Sequence, residues 1–243
     1  MITSKQNALV KEARSLESKK FRDSLNRYAV EGVKMINEAF LSGQQVLSVI
    51  CTEKCLDKLN LNGFEPTIVS DQVFDYISGE KSPQGAMAIL KKPQSNENEG
   101  GSCLLLDGVS DPGNVGTIIR TMACAGYKNV YLTPDSADPF SPKAVRSSMS
   151  GIYHVNVIYL EREKVKEVIG LPVVVADMHG KNVFEGGVKG DFCLVIGNEA
   201  HGVSETVRSL ASSTVKIPMQ EGMESLNAGV SAGILMYALK NSN

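Results

Sequence analysis

Three stretches of the 243-residue chain combine glycine with side chains able to do chemistry. "LLLDGVSDPGNVGTIIRTMACAG" (104–126) is an apolar run that breaks into Asp, Gly, Ser, Pro and Asn around Asn114, then resumes as an apolar segment carrying one arginine, Arg120. "LVIGNEAHGVS" (194–204) delivers Gly197, Asn198 and Glu199, then Gly202. "VKIPMQEGMESLNAGVSAGILMYALK" (215–240) passes Ile217, Pro218 and Met219 and reaches Ser225, Leu226 and Asn227. Together they offer main-chain N–H and C=O groups, amide side chains, one carboxylate and one guanidinium. Such a lining suits a neutral or cationic ligand with an adenine-like hydrogen-bonding edge better than a polyphosphate.

Other chemistries have less support. No G-x-G-x-x-G follows the first strand of this region, and G-x-x-x-x-G-K-[ST] and a G-x-S-x-G elbow with His and acid partners are missing from the sequence. Five cysteines (Cys51, Cys55, Cys103, Cys124, Cys193) make an odd number without a second paired spacing, so neither a disulfide framework nor a metal site is expected. His154, His179 and His201 lack ligand spacing as well.

The elements that must position these stretches are legible in the apolar runs. Strands are predicted at 103–107, 130–132, 155–159, 173–176, 192–196 and 214–217, mostly separated by helical segments, with Pro112 placed to begin a helix. Short Val/Ile/Leu runs alternating with helices predict an α/β fold with a mostly parallel sheet covered on both faces. Ligands of such sheets bind at the carboxyl ends of the strands, where all three stretches fall. Upstream, helices at 6–18, 33–41 and 71–77 and strands at 28–31, 46–51 and 86–90 predict a small α/β module. The polar run "KKPQSNENEGGS" (91–102) divides the two. The expected domains are therefore 1–92 and 102–243, with a linker at 93–101.

Net charge is −2, but residues 1–92 hold 13 Lys and Arg against 11 Asp and Glu, whereas 93–243 hold 12 against 16. Eight basic residues, Arg22 among them, and four acidic ones fall within 1–34. This modest basic excess fits a phosphate-binding patch or a solvated helix face. No apolar run approaches the roughly 18 residues of a membrane span, and no signal-peptide core is present, so a cytoplasmic protein without a membrane partner is expected.

"DGVSDPGNVGTIIRTMACAG", "VIGNEAHGVS" and "IPMQEGMESLNAGVSAGILMY", in this order and spacing, resemble the three motifs of the SpoU family of RNA ribose 2′-O-methyltransferases, in the TrmH-like, rRNA-directed branch of the SPOUT superfamily. "KFRDSLNRYAVEGVKMINEAF" (20–40) is similar to the RNA substrate-binding domain that many members carry. The resemblance implies S-adenosylmethionine as methyl donor, a ribose 2′-hydroxyl of RNA as acceptor, a trefoil knot in the catalytic domain and a homodimer. Ribosomal RNA, such as 23S, is the preferred acceptor, with transfer RNA or a catalytically inactive RNA-binding relative as the alternatives.

By the same resemblance, Gly197, Ile217 and Leu226, with Asn198, Pro218 and Met219, hold the cofactor, and Arg120 serves the acceptor. A guanidinium has a pKa above about 12 and donates without accepting, so Arg120 is expected to stabilise a developing alkoxide or align the adjacent phosphate. Glu199 is expected to orient Arg120 through a charge-assisted pair, or else to cap the turn before Gly202. Asn114 would contact the acceptor or brace its own loop. Ser225 and Asn227 would face the site, one of them as a helix N-cap. Lys143 and Arg146 in "SPKAVRSSMSG" (141–151), with Arg22, are the candidate RNA contacts, although Lys143 and Arg146 also suit a solvated surface.

Overall fold

The structure, a computed structural model, describes residues 1–94, 99–186, 188–223 and 225–240. Residues 95–98 of the expected linker lie outside that set. The first part of the chain forms α1 (Ala8–Ser15), α2 (Lys19–Leu25), β1 (Arg27–Glu31), α3 (Val33–Leu41), β2 (Val46–Cys51), β3 (Thr67–Ile68), α4 (Asp71–Ile77) and β4 (Ala86–Lys91). The second forms β5 (Cys103–Asp107), α5 (Pro112–Ala125), β6 (Asn129–Leu132), α6 (Pro142–Ser148), β7 (Asn156–Tyr159), α7 (Val165–Ile169), β8 (Val173–Asn182), β9 (Cys193–Gly197), α8 (Glu205–Arg208), β10 (Ala211–Lys216) and α9 (Ala228–Lys240). Two compact units result: Met1–Gln94 with Phe140–Tyr153, and Ser95–Pro139 with His154–Asn243.

In the first unit β4 pairs antiparallel with both β1 and β2, and β3 adds to β2, giving the order β1-β4-β2-β3. One core beneath it gathers Val10, Leu16, Phe74, Ile77 and Ile89. The segment with α6 packs into this unit, not with the sheet it follows in sequence. There Arg146 pairs with Glu80, and Lys143 is exposed.

The second unit is a six-stranded sheet, β10-β8-β9-β5-β6-β7, parallel throughout. Its centre is β5, whose residues 103–107 are all buried, as a continuous apolar run flanked on both faces requires. Helix α5 begins where Asp111 caps it by accepting from the Asn114 N–H and Pro112 occupies its first turn; it stops at Gly126, left-handed at φ 77°. Helix α9 lies against α5, with Gly229 and Gly233 facing Thr117 and Thr121: a Cβ at Gly229 would stand 3.1 Å from the Thr117 methyl.

Strand β8 is longer than the predicted 173–176. It pairs with β10 through Val175↔Thr214 and resumes at Lys181↔Val215, so residues 176–180 swing out of the ladder between those pairs. Gly180 lets it return, since a Cβ there would lie 2.6 Å from the Val215 main chain. The short helix α2 is a further element that propensity alone did not reveal.

Arg22 requires a correction. Expected at the RNA surface, it is 3% exposed, and its guanidinium donates to the Leu16 and Glu17 carbonyls (2.8 and 2.7 Å), closing the end of α1 against α2. A buried cation satisfied by helix-end carbonyls is a packing device, unable to reach a phosphate in this conformation. Arg22→Ala should therefore lower unfolding free energy by about 2 kcal/mol, read from the urea midpoint, while leaving the salt dependence of RNA binding unchanged.

Candidate active site

The carboxyl ends of β8, β9 and β10 and the start of α9 surround a cleft of about 760 Å³, within the range of small-molecule sites. Gly197, Asn198, Glu199, Ile217, Met219, Ser225, Leu226 and Asn227 all line it. Pro218 is exposed and stays outside the lining. Gly197 admits no side chain, because a Cβ would overlap the main chain of Gly202 and Val203.

A chain of hydrogen bonds joins the three stretches. Asn227 Nδ2 donates to Asn114 Oδ1 (2.8 Å), and Asn114 Nδ2 donates to Glu199 Oε1 (2.9 Å). Glu199 Oε2 accepts from the Ser110 amide and hydroxyl (3.0 and 2.8 Å), and Oε1 accepts from the Asp111 N–H (3.2 Å). Partial desolvation pushes the Glu199 carboxyl up; the hydrogen bonds from the Asn114 amide and Ser110 outweigh it and hold the pKa at about 2. Asn227 also caps α9, its Oδ1 accepting from Gly229 and Val230 N–H groups (2.9 and 3.2 Å). The cap is thus Asn227, and Ser225 is an exposed cleft residue.

Asn198 works in the same direction. Its Nδ2 donates to the Gly108 carbonyl (2.8 Å) and its Oδ1 accepts from the Ala200 and His201 N–H groups (2.9 and 3.1 Å), tying the second stretch to the first while rounding its own turn. Below them Asp107, its side chain fully buried, accepts from Arg162 Nε (2.5 Å) and the Ser204 N–H (2.7 Å). Arg162 reaches on to Asp135 (2.7 Å). One buried carboxylate therefore anchors the bases of the first two stretches and a cation from beyond β7.

Arg120 stands apart. It is exposed on α5, outside the cleft lining, and makes no ion pair among the described residues. The expected Glu199–Arg120 pair is not formed: both Glu199 oxygens are engaged by residues 110, 111 and 114, at the start of α5 and just before it. Lys143 and Arg146 belong to the first unit.

Sequence reading missed Asp177, His179 and Arg208 in the cleft wall. Arg208 pairs with Asp177 at 2.5 Å, and the His179 N–H donates to the same carboxylate (2.9 Å). Burial raises the Asp177 pKa, and these two partners bring it below its ordinary value. For Asp177 and His179 the signal was available in principle, since they follow the predicted strand 173–176 at its carboxyl end, whereas Arg208 ends α8. Ending the strand at 176 hid them.

The lining fits a cationic nucleoside-like ligand. Ile217, Met219 and Leu226 offer apolar contact for a ring, and Glu199 remains ionised nearby. Residues 101–237 match the SpoU rRNA Methylase family, and residues 7–88 match the MRM3-like substrate binding domain. The 23S rRNA (guanosine(2553)-2′-O)-methyltransferase RlmP of Bacillus subtilis is 30% identical, over 98% of each chain. A putative RNA methyltransferase of the TrmH family from Porphyromonas gingivalis is 32% identical with a TM-score of 0.84, covering 98% of both chains. An AdoMet-bound rRNA methyltransferase from Sinorhizobium meliloti is 27% identical with a TM-score of 0.85, over 99% of this chain and 97% of that one. The chain belongs to the SpoU rRNA methylase family. That membership implies the trefoil knot, and the cofactor of the family is S-adenosylmethionine.

Two substitutions test the scaffold. Arg162→Met leaves the buried Asp107 carboxylate without its cation and should cost about 3 kcal/mol in chemical denaturation. Because the Glu199 pKa is depressed, its ionised form adds stability that is complete above about pH 4.5 and is lost as pH falls toward about 2. In Glu199→Gln, the melting temperature should accordingly change less across that window than in the wild type.

Proposed function

We propose that this protein transfers the methyl group of S-adenosylmethionine to a ribose 2′-hydroxyl of ribosomal RNA. The observation that carries this reading is that the second and third stretches line one cleft and the first is fastened to both by the Asn227–Asn114–Glu199 hydrogen bonds. Ribosomal RNA is preferred over transfer RNA because the Bacillus subtilis and Sinorhizobium meliloti relatives, matched over nearly the whole chain, are named for rRNA. Cytoplasm is the compartment this reading implies, and no described helix is long and apolar enough to cross a membrane.

When bound, S-adenosylmethionine supplies an electrophilic methyl group on a sulfonium. Residues 197–199, 217, 219 and 225–227 would hold it, chiefly by main chain and by the apolar walls at Ile217, Met219 and Leu226. Glu199 and Asn114 act as positioning residues, fixing the stretches that meet there. The acceptor oxygen must be aligned and made more nucleophilic. Arg120 serves that purpose as a donor: its exposed guanidinium, without an ion pair among the described residues, stabilises negative charge on the ribose oxygen or fixes the adjacent phosphate. A proton acceptor is not among its abilities.

A homodimer is the proposed assembly. Its support is an exposed apolar strip on α9, Val230 and Tyr237, the helix that packs on α5, which carries the exposed Thr117 and Arg120. Second copies meeting there would bury that strip and enclose Arg120. Exposed Lys143 is the proposed contact to the RNA backbone, with Arg146 once released from Glu80.

Incubation with methyl-labelled S-adenosylmethionine and ribosomal RNA tests the reading: label should appear at one ribose, resistant to alkaline cleavage, and RNA bound without label contradicts it. Arg120→Lys keeps the charge and loses the guanidinium fork, so turnover should fall by about 10²-fold or more with S-adenosylmethionine affinity unchanged. Near-normal turnover in that variant rules out the role given to Arg120.

A further inference from the structure

The first unit holds a cavity of about 210 Å³ of its own, with no part in the cleft described above. Leu16, Ile77 and Val145 and the thioethers of Met35, Met87 and Met149 line it. Most of the lining falls within residues 7–88, the span matched by a substrate-binding domain. We infer that this cavity receives one unpaired guanine base of the RNA substrate, an inference that rests on the RNA reading above.

Size and walls come first. The volume suits a single ring system and is too small for a run of nucleotides. Flexible thioethers and branched aliphatic side chains pack well on the faces of a planar aromatic ring. Unpaired bases are what single-stranded RNA offers to a protein, splayed out and read along their hydrogen-bonding edges.

Polarity then selects the base. Glu31, the last residue of β1, places its carboxylate in the cavity wall. The Ser78 hydroxyl lies 2.7 and 2.8 Å from its two oxygens, but carries one proton and can donate to only one of them at a time. A carboxylate accepts through about four lone-pair directions, so acceptor capacity remains for a ligand. Guanine presents two adjacent N–H donors, at N1 and N2, matched to the two oxygens of one carboxylate. Uracil offers a single N–H between two carbonyl oxygens that would face the carboxylate, and adenine and cytosine place a ring acceptor beside their amino group.

The rim supplies the phosphate contacts. Exposed Lys34 and Arg146 both line the cavity. Arg146 pairs with Glu80 in a partly exposed bridge, the kind that contributes little and exchanges readily for a phosphate partner.

The test uses the full chain and fluorescence anisotropy with two short labelled probes of equal charge, an oligouridylate and the same strand with one central guanosine. Binding about tenfold tighter to the guanosine strand is expected, with inosine, which lacks the N2 amino group, in between. Glu31→Gln should bring the two strands within about twofold, and so should Ala29→Leu, which fills the cavity from β1; S-adenosylmethionine titration of each variant should match the wild type. Equal wild-type affinity for the guanosine and uridine strands, or a preference that survives Glu31→Gln, overturns the inference. The wild-type comparison of guanosine with inosine decides the matter even where a variant fails to fold. Methyl transfer to ribosomal RNA without any guanosine preference removes this site and leaves the methyltransferase reading intact, whereas a guanosine preference without methyl transfer does the reverse.

Discussion

The Asn114 side chain is the interaction on which the rest of the site depends. Its amide is buried, donates on one side to Glu199 and accepts on the other from Asn227, so a single planar group sets the spacing of three segments from distant parts of the chain. In a site partly shielded from water, such a chain of hydrogen bonds is strong when complete and costly when one member is missing. Only an amide can serve at position 114, because a carboxylate could not donate to Glu199 and a hydroxyl could not span both partners. The low pKa of Glu199 follows from that arrangement, since it receives donors from the first stretch on both oxygens.

Backbone closeness is the second constraint, and it explains the glycines better than flexibility does. Gly197 and Gly180 sit where another stretch of main chain passes within contact distance, so any side chain would push the strands apart. Gly229 plays a milder version of this part against Thr117. Together with the Asp107–Arg162 anchor beneath, these contacts bring irregular loops to fixed positions above a rigid parallel sheet, as a site that binds a ligand largely through main chain requires.

Much of the architecture was legible because β5, β6, β7 and β9 are short apolar runs bounded by polar turns, and their predicted limits fall within a residue or so of the observed ones. The same logic truncated β8, whose outward half, "DMHGKN", carries no alternation, and with it the cleft residues Asp177 and His179. Which polar partners meet across 85 or 113 residues of sequence was not legible at all. Glu199 was expected to orient Arg120, and it instead accepts from Ser110, Asp111 and Asn114. Arg22 shows the limit of charge counting: a basic residue in a basic segment was taken for a surface group, and tertiary packing had turned it into a helix-end cap.

Amide hydrogen exchange of the full chain with and without S-adenosylmethionine probes most directly whether the second and third stretches form one ligand site. Protection should rise together in residues 196–202, at Ile217 and Met219, and in residues 225–228, and stay unchanged in residues 1–94. Protection confined to one of those segments, or spread through the first unit instead, contradicts a shared cleft held together by Asn114.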